Sequence, residues 1–178
     1  NFFVVVASYV FYGWWNWRFL LLILFTSLCS FASGILLQRF DESKKWRKVI
    51  SGTNIAINIA ILGVVKYYDF FASQLVEAFS GLGIQLHLTS LNIILPVGIS
   101  FYSFQSMSYA IDVWRGTAPP VKDFATFACY VALFPQLVAG PIVRYNTVAE
   151  ELATRTHTLE NFVRGISFFC FGFAEKIF

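Results

Sequence analysis

The chain has 178 residues, of which 57% are apolar, 19% aromatic and only 13% charged, with a net charge of +3; its mean hydropathy is +0.65. A soluble domain carries charge on about a quarter of its residues, so the composition excludes an ordinary water-soluble globule and leaves an integral membrane protein. Nucleic-acid binding is excluded too, because the basic residues form no broad surface: five of the thirteen fall between Arg39 and Lys48, the pattern of a loop beside a membrane.

Asn1 to Trp17 is uncharged and ends in Tyr12, Trp14, Trp15 and Trp17, an aromatic cluster of the kind found at headgroup level. Phe19 to Gln38 is a second uncharged run, long enough to cross about 30 Å of hydrocarbon. The basic loop from Arg39 to Lys48 follows. By the positive-inside rule it is cytoplasmic, which places the Trp17/Arg18 turn outside. Val49 to Val65 returns outward, with Lys66 positioned to snorkel and Tyr67 and Tyr68 to anchor. Asn54 and Asn58, four apart on one face, are expected to bond to a neighbouring helix.

From Asp69 to Ser80, Phe70, Phe71, Leu75, Val76 and Phe79 recur at helical spacing opposite polar residues; the pattern predicts a short helix lying in the outer interface. A loop carrying His87 leads to an uncharged helix over 88–111. Pro96 and Gly98 break its start, and Ser100, Ser103, Gln105, Ser106 and Ser108 stripe it, so one face should meet protein or a hydrated cavity. Asp112 and Arg115, three apart, are spaced to pair on the cytoplasmic side. Phe124 to Val143 is apolar but broken by Pro135, Gly140 and Pro141; it either spans or dips in and returns, and the side on which Arg144 emerges stays open. Thr147 and Glu150 have the spacing of a capping box for an amphipathic helix reaching Glu160. A further apolar helix starts at Asn161.

The expected fold is therefore all-α: a polytopic transmembrane helical bundle with broken or re-entrant segments and short interfacial helices. Residues 1–178 read as the N-terminal portion of one multi-helix membrane domain. Cys29, Cys129 and Cys170 each sit in an apolar run and are expected to be buried; no metal-ligand spacing occurs. His87 and His157 lie in polar surroundings and suit general acid–base work poorly. The segment from Phe134 to Tyr145 carries more promise, since its bends end on Arg144, a permanently charged planar donor suited to a phosphate or carboxylate.

Three stretches carry a resemblance: Ala7-Ser-Tyr-Val-Phe-Tyr-Gly-Trp-Trp15, Leu95 through Gly116 (LPVGISFYSFQSMSYAIDVWRG) and Phe134-Pro-Gln-Leu-Val-Ala-Gly-Pro-Ile-Val-Arg-Tyr145. In matching order, they resemble the N-terminal half of the membrane-bound O-acyltransferases, most closely the alginate O-acetyltransferase branch. The resemblance implies a multi-pass enzyme of the bacterial inner membrane. Such an enzyme takes an acetyl group from a cytoplasmic thioester, acetyl-CoA or another acyl donor, and moves it towards hydroxyls of an extracellular polysaccharide such as alginate. It implies no bound cofactor. The implied partners are membrane lipid, the acyl donor and other proteins of a polysaccharide-modification complex. The family's signature histidine follows a tryptophan; none of the five tryptophans here precedes a histidine, so no catalytic residue is carried over, and the 178 residues alone are expected to be inactive. By position, Arg144, Pro141, Tyr102, Gln105, Asp112 and Arg115 are the candidate substrate-path residues. A transporter or flippase, or a non-catalytic scaffold of a polysaccharide assembly, are the competing readings.

Overall fold

The computed structural model describes residues 1–81, 90, 95–138, 142–154 and 158–177, apart from the side chains of Trp15 and Val138. These residues form helices and connecting turns, with no strand among them. Helix α1 (Phe2–Trp15) ends where Asn16 turns extended; the Asn16 side chain accepts the Arg18 N–H at 3.0 Å and so caps α2 (Trp17–Arg39). At 1.5 Å per residue, the 23 residues of α2 reach about 34 Å, enough to cross a bilayer core.

The burial pattern of α2 inverts that of a soluble helix. Thr26, Ser27, Ser30, Ser33 and Gly34 face inward, while Leu21, Phe25, Leu28 and Ile35 are exposed. In lipid, apolar side chains gain nothing by leaving the surface, and small residues let helix backbones approach closely. Helix α3 (Lys44–Leu62) repeats the pattern, with Ser51, Asn54 and Asn58 buried. The expected interhelical role is observed for Asn54, whose Nδ2 donates to Ser30 Oγ and Ser33 Oγ, both at 3.0 Å; Asn58 departs from it, its Nδ2 donating within α3 to Asn54 O (2.9 Å) and Asn54 Oδ1 (3.1 Å).

Two boundaries differ from expectation. Lys44 to Lys48 belong to α3 rather than to a loop. Arg47 pairs with Asp41 and donates to the carbonyls of Val113 (3.2 Å) and Trp114 (2.6 Å), so a basic side chain satisfies the bare C-terminal carbonyls of α5 (Ile99–Arg115). The amphipathic segment α4 (Tyr68–Ser80) is no separate interfacial helix. It continues α3 through a π-turn at Gly63–Tyr67, making one element from Lys44 to Ser80. The wide turn lets Lys66 donate to Ser100 Oγ at 3.1 Å. Helix α5 starts at Ile99, after Gly98 in the left-handed region (φ 78°), and packs against α2 and α3. His87 lies outside the described residues.

The broken segment is re-entrant within the bundle. Asp123 caps α6 (Phe124–Ala132), accepting the Thr126 N–H at 2.9 Å; α7 (Phe134–Val138) follows, and α8 (Tyr145–Ala153) returns. The Asn1 side chain donates both to Thr126 Oγ1 (3.1 Å), at the start of the inward leg, and to Leu152 O (2.9 Å), near the end of the return leg. Both legs therefore share the Asn1 end of the bundle. The apex lies at the opposite level, where Leu137 abuts Gly98 and the Phe134 ring sits 5.4 Å from that of Phe11. All six residues from Phe127 to Ala132 are buried, so α6 runs through the core. The break beyond it is only partly enclosed, with Leu137 buried and Phe134 and Ile142 exposed.

Smaller corrections concern helix ends and thiols. Arg144, not Thr147, is the N-cap of α8, and no side-chain capping bond forms there. Helix α9 (Leu159–Ile177) begins two residues earlier than expected and packs on none of the other described elements. Cys129 is buried and Cys29 half-buried, but Cys170 is exposed on α9.

Candidate functional site

The six candidate residues do not form one cluster. Pro141 lies outside the described residues, as does His157. Tyr102 is fully buried on the α5 face near Tyr12, whose hydroxyl donates to Val97 O at 2.8 Å. Arg115 is exposed at the end of α5, and Asp112 is buried. The expected Asp112–Arg115 pair is not formed, because the last turn of α5 sends one side chain inward and the other to the surface.

The structure does join Gln105 to the segment bearing Arg144, through Tyr130. Leu133 leaves the helical conformation (ψ 109°), which breaks the α6 hydrogen-bond ladder and frees the Tyr130 carbonyl. Gln105 Nε2 donates to that carbonyl at 3.1 Å. The Tyr130 hydroxyl donates to Val143 O at 2.9 Å. The ring of Tyr145 stands edge-on to Tyr130 (5.4 Å) and to Tyr109 (5.5 Å). Tyr109 OH accepts the Val121 N–H at 3.0 Å, which fixes the loop entering α6.

Arg144 thus stands between two anchored neighbours. Val143 is held by its carbonyl and Tyr145 by its ring, while the Arg144 side chain is exposed and makes no ion pair among the described residues. Its own carbonyl accepts the Thr147 N–H at 3.1 Å. A guanidinium on a braced backbone, at the start of a helix whose first N–H groups also favour negative charge, can hold an anionic group. The return leg carries it towards the same end as Asn1 and Arg47. Asp112 sits on the Gln105 face of α5, within electrostatic reach of Tyr130, and its Oδ2 has no partner among the described residues.

A cavity of about 230 Å³ opens between the legs of the hairpin, lined by Tyr130, Leu133, Gln136, Val148, Glu151 and Leu152. The three tyrosines were not candidates from sequence. The only signal for them was placement, since Tyr130 and Tyr145 flank the proline-broken apex on either side. No group of three or more His, Cys, Asp or Glu side chains that could hold a metal occurs among the described residues.

No family model matches the chain, and no solved structure matches it. Curated proteins do. The probable alginate O-acetylase AlgI of Pseudomonas aeruginosa is 37% identical over 182 residues, covering 100% of this chain and 34% of the relative. The protein of the same name from Azotobacter vinelandii is 35% identical, covering 100% of this chain and 36% of the relative. This chain belongs to the membrane-bound O-acyltransferase family. A more distant relative, the peptidoglycan O-acetyltransferase of Helicobacter pylori, is 24% identical over 98% of the chain and 37% of its own length. The chain spans about a third of the length of the curated relatives it matches. In this chain, helices α2 and α3–α4 are long and apolar enough to cross a membrane.

Proposed function

We propose that the protein to which these residues belong is an O-acetyltransferase of the bacterial inner membrane. It moves an acetyl group from a cytoplasmic thioester, acetyl-CoA or a carrier-bound acyl group, to hydroxyls of an extracellular polysaccharide such as alginate. The observation that carries this reading is identity above one third along the whole chain to proteins named as alginate O-acetylases.

Within that reaction, Arg144 on its braced segment contacts the anionic part of the donor. Gln105 acts through Tyr130 to hold that segment, and Asp112 lies behind it. The group that activates the acceptor hydroxyl is assigned to a histidine of a Trp-His pair, which these residues do not contain. Other proteins of a polysaccharide-modification complex are the proposed partners.

The test is acetyl transfer by the full-length protein in membranes, using labelled acetyl-CoA and following polymer O-acetylation. Arg144→Ala should lower transfer about ten- to a hundredfold, the loss of one charge-assisted hydrogen bond of about 1.5–3 kcal/mol, with membrane insertion unchanged. Normal transfer by that variant would remove Arg144 from the site. Absence of any transfer by the unaltered full-length protein would favour the scaffold or transporter.

A further inference from the structure

The contact among α2, α3 and α5 contains four polar groups that find no partner. Ser27 Oγ on α2, Asn58 Oδ1 on α3, and Ser103 Oγ and Ser106 Oγ on α5 are all buried without a hydrogen-bond partner among the described residues. Each of the four residues is 0% exposed.

These groups lie at one level of the bundle. The Asn54 bonds to Ser30 and Ser33 fix the α2–α3 register, and one turn further along lie Asn58 and Ser27. The α3–α5 register is fixed at both ends, by Arg47 on Val113 and by Lys66 on Ser100; interpolation between them sets Asn58 opposite Ser103 to Ser106. The close approach of Gly34 and Tyr109 fixes α2 against α5, and two turns back from it the register sets Ser27 at the level of Tyr102 and Ser103.

A serine in a helix can satisfy itself on a carbonyl three or four residues earlier. Ser33 and Ser108 do so, on Cys29 O (2.8 Å) and Gln105 O (2.8 Å), and Thr26 does so on Ile23 O (3.0 Å). Ser27, Ser103 and Ser106 do not. Leaving such groups unpaired in a medium without water is expensive. Their occupant must both donate and accept, since Asn58 Oδ1 only accepts and the hydroxyls do either. It must also be neutral: α2 from Phe19 to Gln38, α3 from Val49 to Leu62 and α5 from Ile99 to Ile111 carry no charge to balance an ion.

We infer that this level of the three-helix contact is a site for ordered water, bridging Asn58 Oδ1 to the hydroxyls of Ser27, Ser103 and Ser106. A buried water typically makes two to four such bonds, so one or two molecules suffice.

Radiolytic hydroxyl-radical footprinting of the full-length protein in lipid nanodiscs tests the site, because radicals formed from bound water label the side chains beside it. Tyr102 and Met107 each stand one turn from one of the two α5 serines; both are buried, as is Phe127 in the apolar core. With every rate divided by the intrinsic radical reactivity of its side-chain type, Tyr102 and Met107 should be modified several-fold faster than Phe127. In the Asn58→Leu/Ser103→Ala variant that excess should disappear while Phe127 is unchanged. Labelling of Tyr102 and Met107 at the rate of Phe127 in the unaltered protein would show a dry contact and overturn the assignment, whether or not the variant folds. Labelling that falls as sodium or potassium is raised would instead place a monovalent cation there, and would equally overturn it.

Discussion

At the scale of single residues, the backbone around Arg144 depends on groups distant in sequence. Tyr130→Phe keeps the ring against Tyr145 but leaves the Val143 carbonyl without its donor. The expected loss is about 1 kcal/mol of stability, read as a lower melting temperature of the full-length protein in detergent. Acetyl transfer should fall less than in Arg144→Ala, with the change in KM for the donor rather than in kcat. Gly98 is a second such point. Its φ of 78° disfavours a side chain, and a Cβ would press on the backbone carbonyl of Leu137 at the hairpin apex. Gly98→Ala should destabilise the protein by about 2 kcal/mol, whereas Gly116→Ala, left-handed but in open space, should cost only about half as much. A thermal melt of both variants checks the ordering.

At the scale of elements, the re-entrant hairpin is tied down at its entrance by Asp123. Its carboxylate accepts the Thr126 N–H (2.9 Å) and hydroxyl (3.0 Å), and these bonds hold its pKa below the usual carboxylate value. A depressed folded-state pKa stabilises above the unfolded value, about 4, and the contribution fades as pH falls through the folded one. Asp123→Ala should therefore cost about 1 kcal/mol at neutral pH, and the gap between variant and parent should narrow in melts taken at acid pH. The α2–α3 contact depends on Asn54, whose amide bridges two serines. Asn54→Leu should destabilise by about 0.6–2 kcal/mol, a modest loss because the unfolded helices in a membrane find other partners. A loss well beyond that range would mean that Asn54 carries more than helix packing.

At the scale of the molecule, the described helices place Arg39–Lys48, Asp112–Arg115 and the two ends of the hairpin at one end of the bundle, with Trp17, Lys66 and Gly98 at the other. Positive-inside reasoning predicts that the first end is cytoplasmic. A cysteine at Ser43 of the full-length protein, in a background lacking the native thiols, should react with an impermeant maleimide only after the cells are opened. Labelling of intact cells would reverse the orientation and move Arg144 away from a cytoplasmic donor.

The sequence alone was enough for the membrane class, the uncharged runs, the interhelical Asn54 and the family, because each is written in composition, local period or a contiguous motif. It also marked the proline-broken segment with Pro141 and Arg144 as a place of interest. It did not separate a spanning segment from a re-entrant one, since Phe124 to Val143 has the same apolar content either way. Only tertiary contacts decided it, when the Asn1 side chain met Thr126 and Leu152 together. Nor did local pattern show that α4 continues α3, because a π-turn leaves the amphipathic period intact on both sides. The serine and glutamine stripe of α5 read as one face, yet Ser103 and Ser106 turn to α2 and α3 while Gln105 and Ser108 turn towards α6. A helix in lipid buries polar side chains wherever another helix lies, and where the neighbours lie is a property of the assembled bundle rather than of any one stretch of chain.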